Sequence, residues 1–188
     1  MTSGNYFGNG DKTPLSALFP FAYGLSYTSF AFSDPTVTLD DSSTAITNGT
    51  SLANRTVTVS VTVKNTGPAA GATPVIVSYA KETRRVVRYL RMVAGFEKVH
   101  VPAGGSTVAT VKVSLRDLLR YDPQMPWTDL DHAAVMGAYV LDGGEYTMYV
   151  GGCVSVGPVW DDRATCGGDS LVSATQTIGS DGDSWVYL

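Results

Sequence analysis

An all-β, antiparallel sandwich is the fold this sequence predicts, and three observations predict it. One segment alternates apolar and polar residues without a break, several β-branched segments are divided by Gly/Pro turns, and a single helical turn interrupts them. The alternation is "TVTVSVTV", residues 56–63. Val57, Val59, Val61 and Val63 share one face and Thr56, Thr58, Ser60 and Thr62 the other, the period of a half-buried strand. "KNTGPAAGATP" follows with turn chemistry, and "VIVSYA", residues 75–80, reads as the next strand. After the basic segment "KETRRVVRYLRM", strands are predicted at 95–101 (GFEKVHV), 106–113 (STVATVKV) and 144–152 (GEYTMYVGG). "PAGG", 102–105, is a tight connection between the first two of these. The helical turn is "SLRDLLRYD": Ser114 caps, Asp117 stands at the reciprocal capping position, and Leu115, Leu118 and Leu119 share a face. No internal repeat is evident.

The composition is globular: 188 residues, 44% hydrophobic and 16% charged. A net charge of -4 and a pI near 5.0 supply no general attraction to nucleic acid or an anionic membrane, so neither is expected as a partner. No apolar run reaches the ~18 to 20 residues of a membrane span, and "MTSGNYFGNGDK" lacks the basic and apolar regions of a signal peptide. Asn48-Gly49-Thr50 and Asn54-Arg55-Thr56 nevertheless match the N-glycosylation acceptor pattern. Cys153 and Cys166 flank a Gly-, Pro- and Asp-containing segment, where the spacing fits a local bridge and two free thiols alike.

The stretch "LFPFAYGLSYTSF", residues 18–30, is dense in aromatic side chains. "PLSALFPFAYGLSYTSFAFSD" resembles the segment leading into the C-terminal fibronectin type III-like domain of glycoside hydrolase family three, the β-glucosidases and β-xylosidases. "VTVSVTVKNTGPAAGATPVIVSYA" is similar to that domain's first core strands, with Asn65-Thr66-Gly67 and Ala70-Gly71 at the family's turn. "RYLRMVAGFEKVHVPAGGSTVATVKVSLRDLLRYD" resembles the next block through Leu90, Gly95-Phe96, Lys98-Val99, Pro102, Gly105-Ser106, Val111, Leu118 and Tyr121-Asp122, and "GEYTMYVGG" looks like the closing strand. Ala22 stands where the family commonly has glycine, Ser16-Ala17 lengthens the first motif, and "WTDLDHAAVMGAYV" lengthens the segment before the last strand.

The resemblance implies an immunoglobulin/fibronectin type III-like sandwich at 34–152, a connector from a missing catalytic domain at 1–33, and a C-terminal extension at 153–188. It implies that the aromatic stretch contacts the catalytic domains of a parent glycoside hydrolase, a reading preferred for Phe19, Phe21, Tyr23 and Tyr27, whereas for Phe30 and Phe32 the plainer reading, filling the sandwich's own edge, is preferred. It places the parent in the secretory pathway or outside the cell, and the catalytic carboxylates in upstream domains, so this chain is expected to hold none and not to be active alone. No cofactor and no metal are implied.

Other candidates have plainer readings. Asp129, Asp131 and His132 read as loop polarity, "SDGDSW" around Asp183 as a solvated acidic tail, and His100 as the outward residue of a strand. Lys81, Arg84, Arg85, Arg88 and Arg91 form a basic cluster suited to a solvated loop or a docking surface. Trp127, Trp160 and Trp185 would stack on sugars if the chain were an independent polysaccharide- or cell-surface-binding module, the alternative reading; scattered as they are, they fit core plugs or interface anchors.

Overall fold

The computed structural model of the chain describes residues 21–40, 52, 54–81, 91–128, 134–154, 171–181 and 183–187. Its strands are β1 (Phe30–Leu39), β2 (Thr56–Asn65), β3 (Gly71–Ala80), β4 (Met92–Val101), β5 (Ser106–Ser114), β6 (Arg120–Thr128), β7 (Ala134–Asp142), β8 (Gly144–Gly151), β9 (Val172–Ile178) and β10 (Ser184–Tyr187). They form three antiparallel sheets, ordered β1-β2-β5, β4-β3-β8-β9 and β10-β7-β6. The first two face each other as the sandwich.

The core follows from the alternation. Val57, Val59, Val61 and Val63 of the central strand β2 are all buried, and across the sandwich they meet a layer drawn from Val75, Val77 and Tyr79 of β3 and Tyr146, Met148 and Val150 of β8. Each valine taken from water into this layer contributes ~1.5 kcal/mol or somewhat more before chain entropy is counted. In β1 the facing set changes parity: Phe30 and Phe32 point inward, then Val37 and Leu39. The register shift between Ser33 and Thr36 makes this possible, with Asp34 in the left-handed region (φ 53°) and Pro35 as the second residue of the bulge. Phe30 and Phe32 thus fill the sandwich itself.

The Pro102–Gly105 connection closes with a hydrogen bond from Gly105 N–H to Pro102 O at 3.0 Å and carries the chain from one sheet to the other. The predicted helical turn is one turn of 3-10 helix, Leu115–Leu118; Ser114 Oγ accepts from Arg116 N–H at 3.2 Å, and Leu115 and Leu118 are buried.

Two expectations need correction. GEYTMYVGG is not the closing strand, because β9 pairs with β8 at the sheet edge and β10 pairs with β7. The stretch around Asp183 is solvated at Asp181 and Asp183 but is not merely a tail: it leads into β10, where Trp185 and Tyr187 pack against the core beside Leu141, and Gly143 N–H donates to Asp183 O at 2.7 Å. The long segment before β8 contributes to the β6–β7 hairpin.

Candidate docking surface

The segment ahead of β1 is fastened to the sandwich at Thr28. Its Oγ1 donates to Oδ1 of Asn65 at 2.5 Å, and Asn65, fully buried, spends its remaining polar capacity on the turn that follows it. Asn65 Nδ2 donates to Ala69 O at 2.8 Å and Val101 O at 3.1 Å, while Oδ1 also accepts from Gly67 N–H at 3.0 Å. Thr66 N–H and Oγ1 both donate to Ser29 O, at 2.8 and 3.1 Å. Glycines are needed at this contact: a Cβ on Gly67 would collide with Thr28 Oγ1, and one on Gly71 would lie 2.6 Å from Thr28 Cγ2.

Ahead of this anchor the side chains point into solvent. Phe21 is 62% exposed, Leu25 92%, Tyr23 36% and Tyr27 fully so. The strip is tied down a second time where Val154 N–H donates to Phe21 O at 2.9 Å as an isolated antiparallel bridge. Between the two ties lies a shallow groove of about 160 Å³, bounded by Ala22–Ser26 on one side and Ala72, Pro74 and Cys153 on the other. The apolar strip is thus fixed at both ends and exposed between them, and apolar area left in water favours association. Leu25, the most exposed apolar residue among them after Tyr27, escaped the sequence reading because aromatic density marked the stretch and leucine does not add to it.

Of the other candidates, Phe19, Asn48, Cys166, Trp160, Asp129, Asp131, His132, Arg84, Arg85 and Arg88 lie outside the described residues, as does the side chain of Trp127. Asn54 is exposed in the turn before β2. Cys153 is buried and disulfide-bonded. His100 is exposed on β4. Lys81 and Arg91 are not a solvated pair of cations. Lys81 Nζ is nearly buried, 3.9 Å from Asp181 and over the Tyr146 ring, and the Arg91 guanidinium stacks 3.9 Å from the Tyr149 ring centroid. Burial lowers the Arg91 pKa against the opposing influence of Tyr149.

A pair of carboxylates does come together, and it is a clamp. Arg120 donates from Nε and Nη2 to the two oxygens of Asp142, at 2.6 and 2.9 Å, and from Nη1 to Asp122 at 2.8 Å. All three side chains are largely shielded. The hydrogen bonds to Asp142 raise the Arg120 pKa most, with burial opposing and Asp122 adding. Because one guanidinium occupies both carboxylates, the group joins β6 to β7 and offers no free acid or base. Among the described residues there is no group of three or more His, Cys, Asp or Glu placed to hold a metal, and no helix long and apolar enough to cross a membrane.

Comparison with known proteins matches this architecture. Residues 75–153 fit the family model of the fibronectin type III-like domain. A beta-xylosidase of Formosa agariphila is 39% identical over 108 residues, 57% of this chain and 13% of that protein. A probable beta-glucosidase M of Neosartorya fischeri is 37% identical over 150 residues, 75% of this chain and 17% of that protein. The solved structure of a beta-glucosidase from Paenibacillus barengoltzii superposes with a TM-score of 0.63 at 25% identity, over 90% of this chain and 16% of that one. The chain therefore spans less than a fifth of the length of these relatives. With the motifs in family order and the three-stranded sheet facing the four-stranded one, these matches show that the chain carries the fibronectin type III-like domain of the glycoside hydrolase family three β-glucosidases and β-xylosidases.

Proposed function

We propose that this chain is a non-catalytic accessory domain that braces the catalytic domains of a β-glucosidase- or β-xylosidase-like glycoside hydrolase. The observation that carries the reading is the strip of Phe21, Tyr23, Leu25 and Tyr27, exposed on a segment whose ends are fixed at Thr28 and Val154. The names of the relatives, a beta-xylosidase and a beta-glucosidase, supply the kind of enzyme. Phe19 belongs to the same proposed contact, and the catalytic carboxylates belong to the parent's other domains. A secreted parent suits the exposed acceptor Asn54, with Asn48 as a second acceptor, and a Cys153–Cys166 bridge.

Hydrolysis of chromogenic β-glucoside and β-xyloside by the purified chain, with and without a separately expressed catalytic portion of the Neosartorya fischeri relative, tests this. The expected result is no turnover by the chain alone and a gain in stability or activity of the catalytic portion on mixing. Turnover by the chain alone would overturn it. A second reading, a carbohydrate-binding module, rests on Tyr121 and Tyr139, exposed neighbours on β6 and β7 with ring centroids 5.5 Å apart. Retention on insoluble xylan or cellulose, lost in Tyr139→Ala, would favour that reading.

A further inference from the structure

We infer that the docking surface does not end with the connector but continues over the outer face of the β3–β4 pair, with Phe96 as a second anchor for the same catalytic portion. The inference rests on the accessory-domain reading. Phe96 is 75% exposed, and its direction is set by its neighbour. Gly95 pairs with Val77 on the inner face, where a Cβ would stand 3.0 Å from Val111 Cγ1 across the sandwich. The side chain that follows must then leave the opposite face.

That face is the one the connector's groove shares. Pro74, which lines the groove, and Ile76, which pairs with Phe96, have the same parity along β3. Two residues along a strand span about 7 Å and adjacent strands lie about 4.8 Å apart, so Phe96 stands roughly 8 Å from the groove wall. Ile76 beside Phe96 is already buried by this chain and exposed Lys98 stands opposite Pro74, so the surface that reaches both the strip and Phe96 spans the Lys98 ammonium between them. Its occupant is a neighbour presenting apolar side chains to an aromatic ring. The catalytic portion fits, because the relatives extend far beyond the region aligned with this chain. Val108, also exposed at 65%, projects from β5 on the opposite sheet and serves as the internal control.

Binding of the chain to the catalytic portion of the Neosartorya fischeri relative, its folding checked by circular dichroism, is measured by interferometry for the wild type, Phe96→Ser, Phe96→Leu, Tyr27→Ser and Val108→Ser. Phe96→Ser weakens binding about tenfold, the loss expected when a central aromatic anchor is removed, and Phe96→Leu loses less. Val108→Ser binds as the wild type does, and all variants keep the wild-type melting temperature. Weakening by Tyr27→Ser with none by Phe96→Ser would overturn this inference and leave the accessory reading intact. No binding by the wild type would overturn both, and equal losses at Phe96 and Val108 would show a non-specific apolar effect and overturn the second anchor alone.

Discussion

Thr28 and Asn65 are 37 residues apart in the chain and joined by a buried side-chain hydrogen bond of 2.5 Å. Through it the segment ahead of β1 is fastened to the turn between β2 and β3.

Asn65→Ala removes the acceptor of Thr28 and Gly67 and the donor to Ala69 and Val101 together. A buried group left unsatisfied costs ~1 to 3 kcal/mol, so the variant should lose about 3 kcal/mol in urea denaturation. A loss below about 1 kcal/mol would mean that water reaches these groups and that the anchor is weaker than its geometry indicates.

Arg120→Ala leaves Asp122 and Asp142 shielded without a counter-charge. Removing one partner of a buried ion pair costs about 3 to 5 kcal/mol, whereas replacing the whole group by apolar residues is often neutral. The triple variant Arg120→Met, Asp122→Leu, Asp142→Leu should therefore be more stable than Arg120→Ala in the same denaturant experiment. The reverse order would show that the β6–β7 sheet depends on the ionic clamp itself.

Much of the sandwich was legible because its central strand is. β2 keeps strict alternation over its whole length, and a one-residue slip would turn four valines into water. β6 was not, because "YDPQMP" carries turn signals; it is an edge strand, where prolines need not donate to a ladder, and its register shifts between Asp122 and Pro126. β9, also an edge, alternates Ser and Thr with half-buried residues, and only Ile178 is fully enclosed. On the exposed strip, the sequence marked the aromatics but not Thr28–Asn65, since a partner 37 residues away leaves no periodic trace.

Asp40 gives the fold a pH signature. Its carboxylate accepts from Oγ1 of Thr56, and from Oγ1 of Thr58 at 3.1 Å. The Thr56 hydrogen bond is the main cause of a pKa below the ordinary aspartate value, against desolvation, with Thr58 and Lys112 assisting. A carboxyl whose folded pKa lies below its unfolded one contributes stability above the unfolded value and loses it as pH falls through the folded value. In Thr56→Val, the Asp40 carboxyl titrates at higher pH by NMR and its share of the acid-side decline shrinks. An unmoved titration would remove Thr56 as the cause.

Ala22 occupies the left-handed region at φ 64°, next to the Phe21–Val154 tie at one end of the exposed strip and at the position where the family motif commonly has glycine. A Cβ in that conformation crowds the following carbonyl at a cost of roughly 1 to 2 kcal/mol, a strain glycine does not carry. Glycine also has more freedom to lose from the unfolded chain, which offsets part of the gain. Ala22→Gly should therefore raise stability by about 0.5 to 1 kcal/mol, read as a higher melting temperature with the same circular dichroism spectrum. If docking requires the strip held in one shape, the same variant should bind the catalytic portion no more tightly despite its greater stability, because the added freedom lies between the two ties. A destabilised Ala22→Gly would mean that the flanking ties at Val154 and Thr28 already absorb the strain and that only the entropy of glycine remains to be felt.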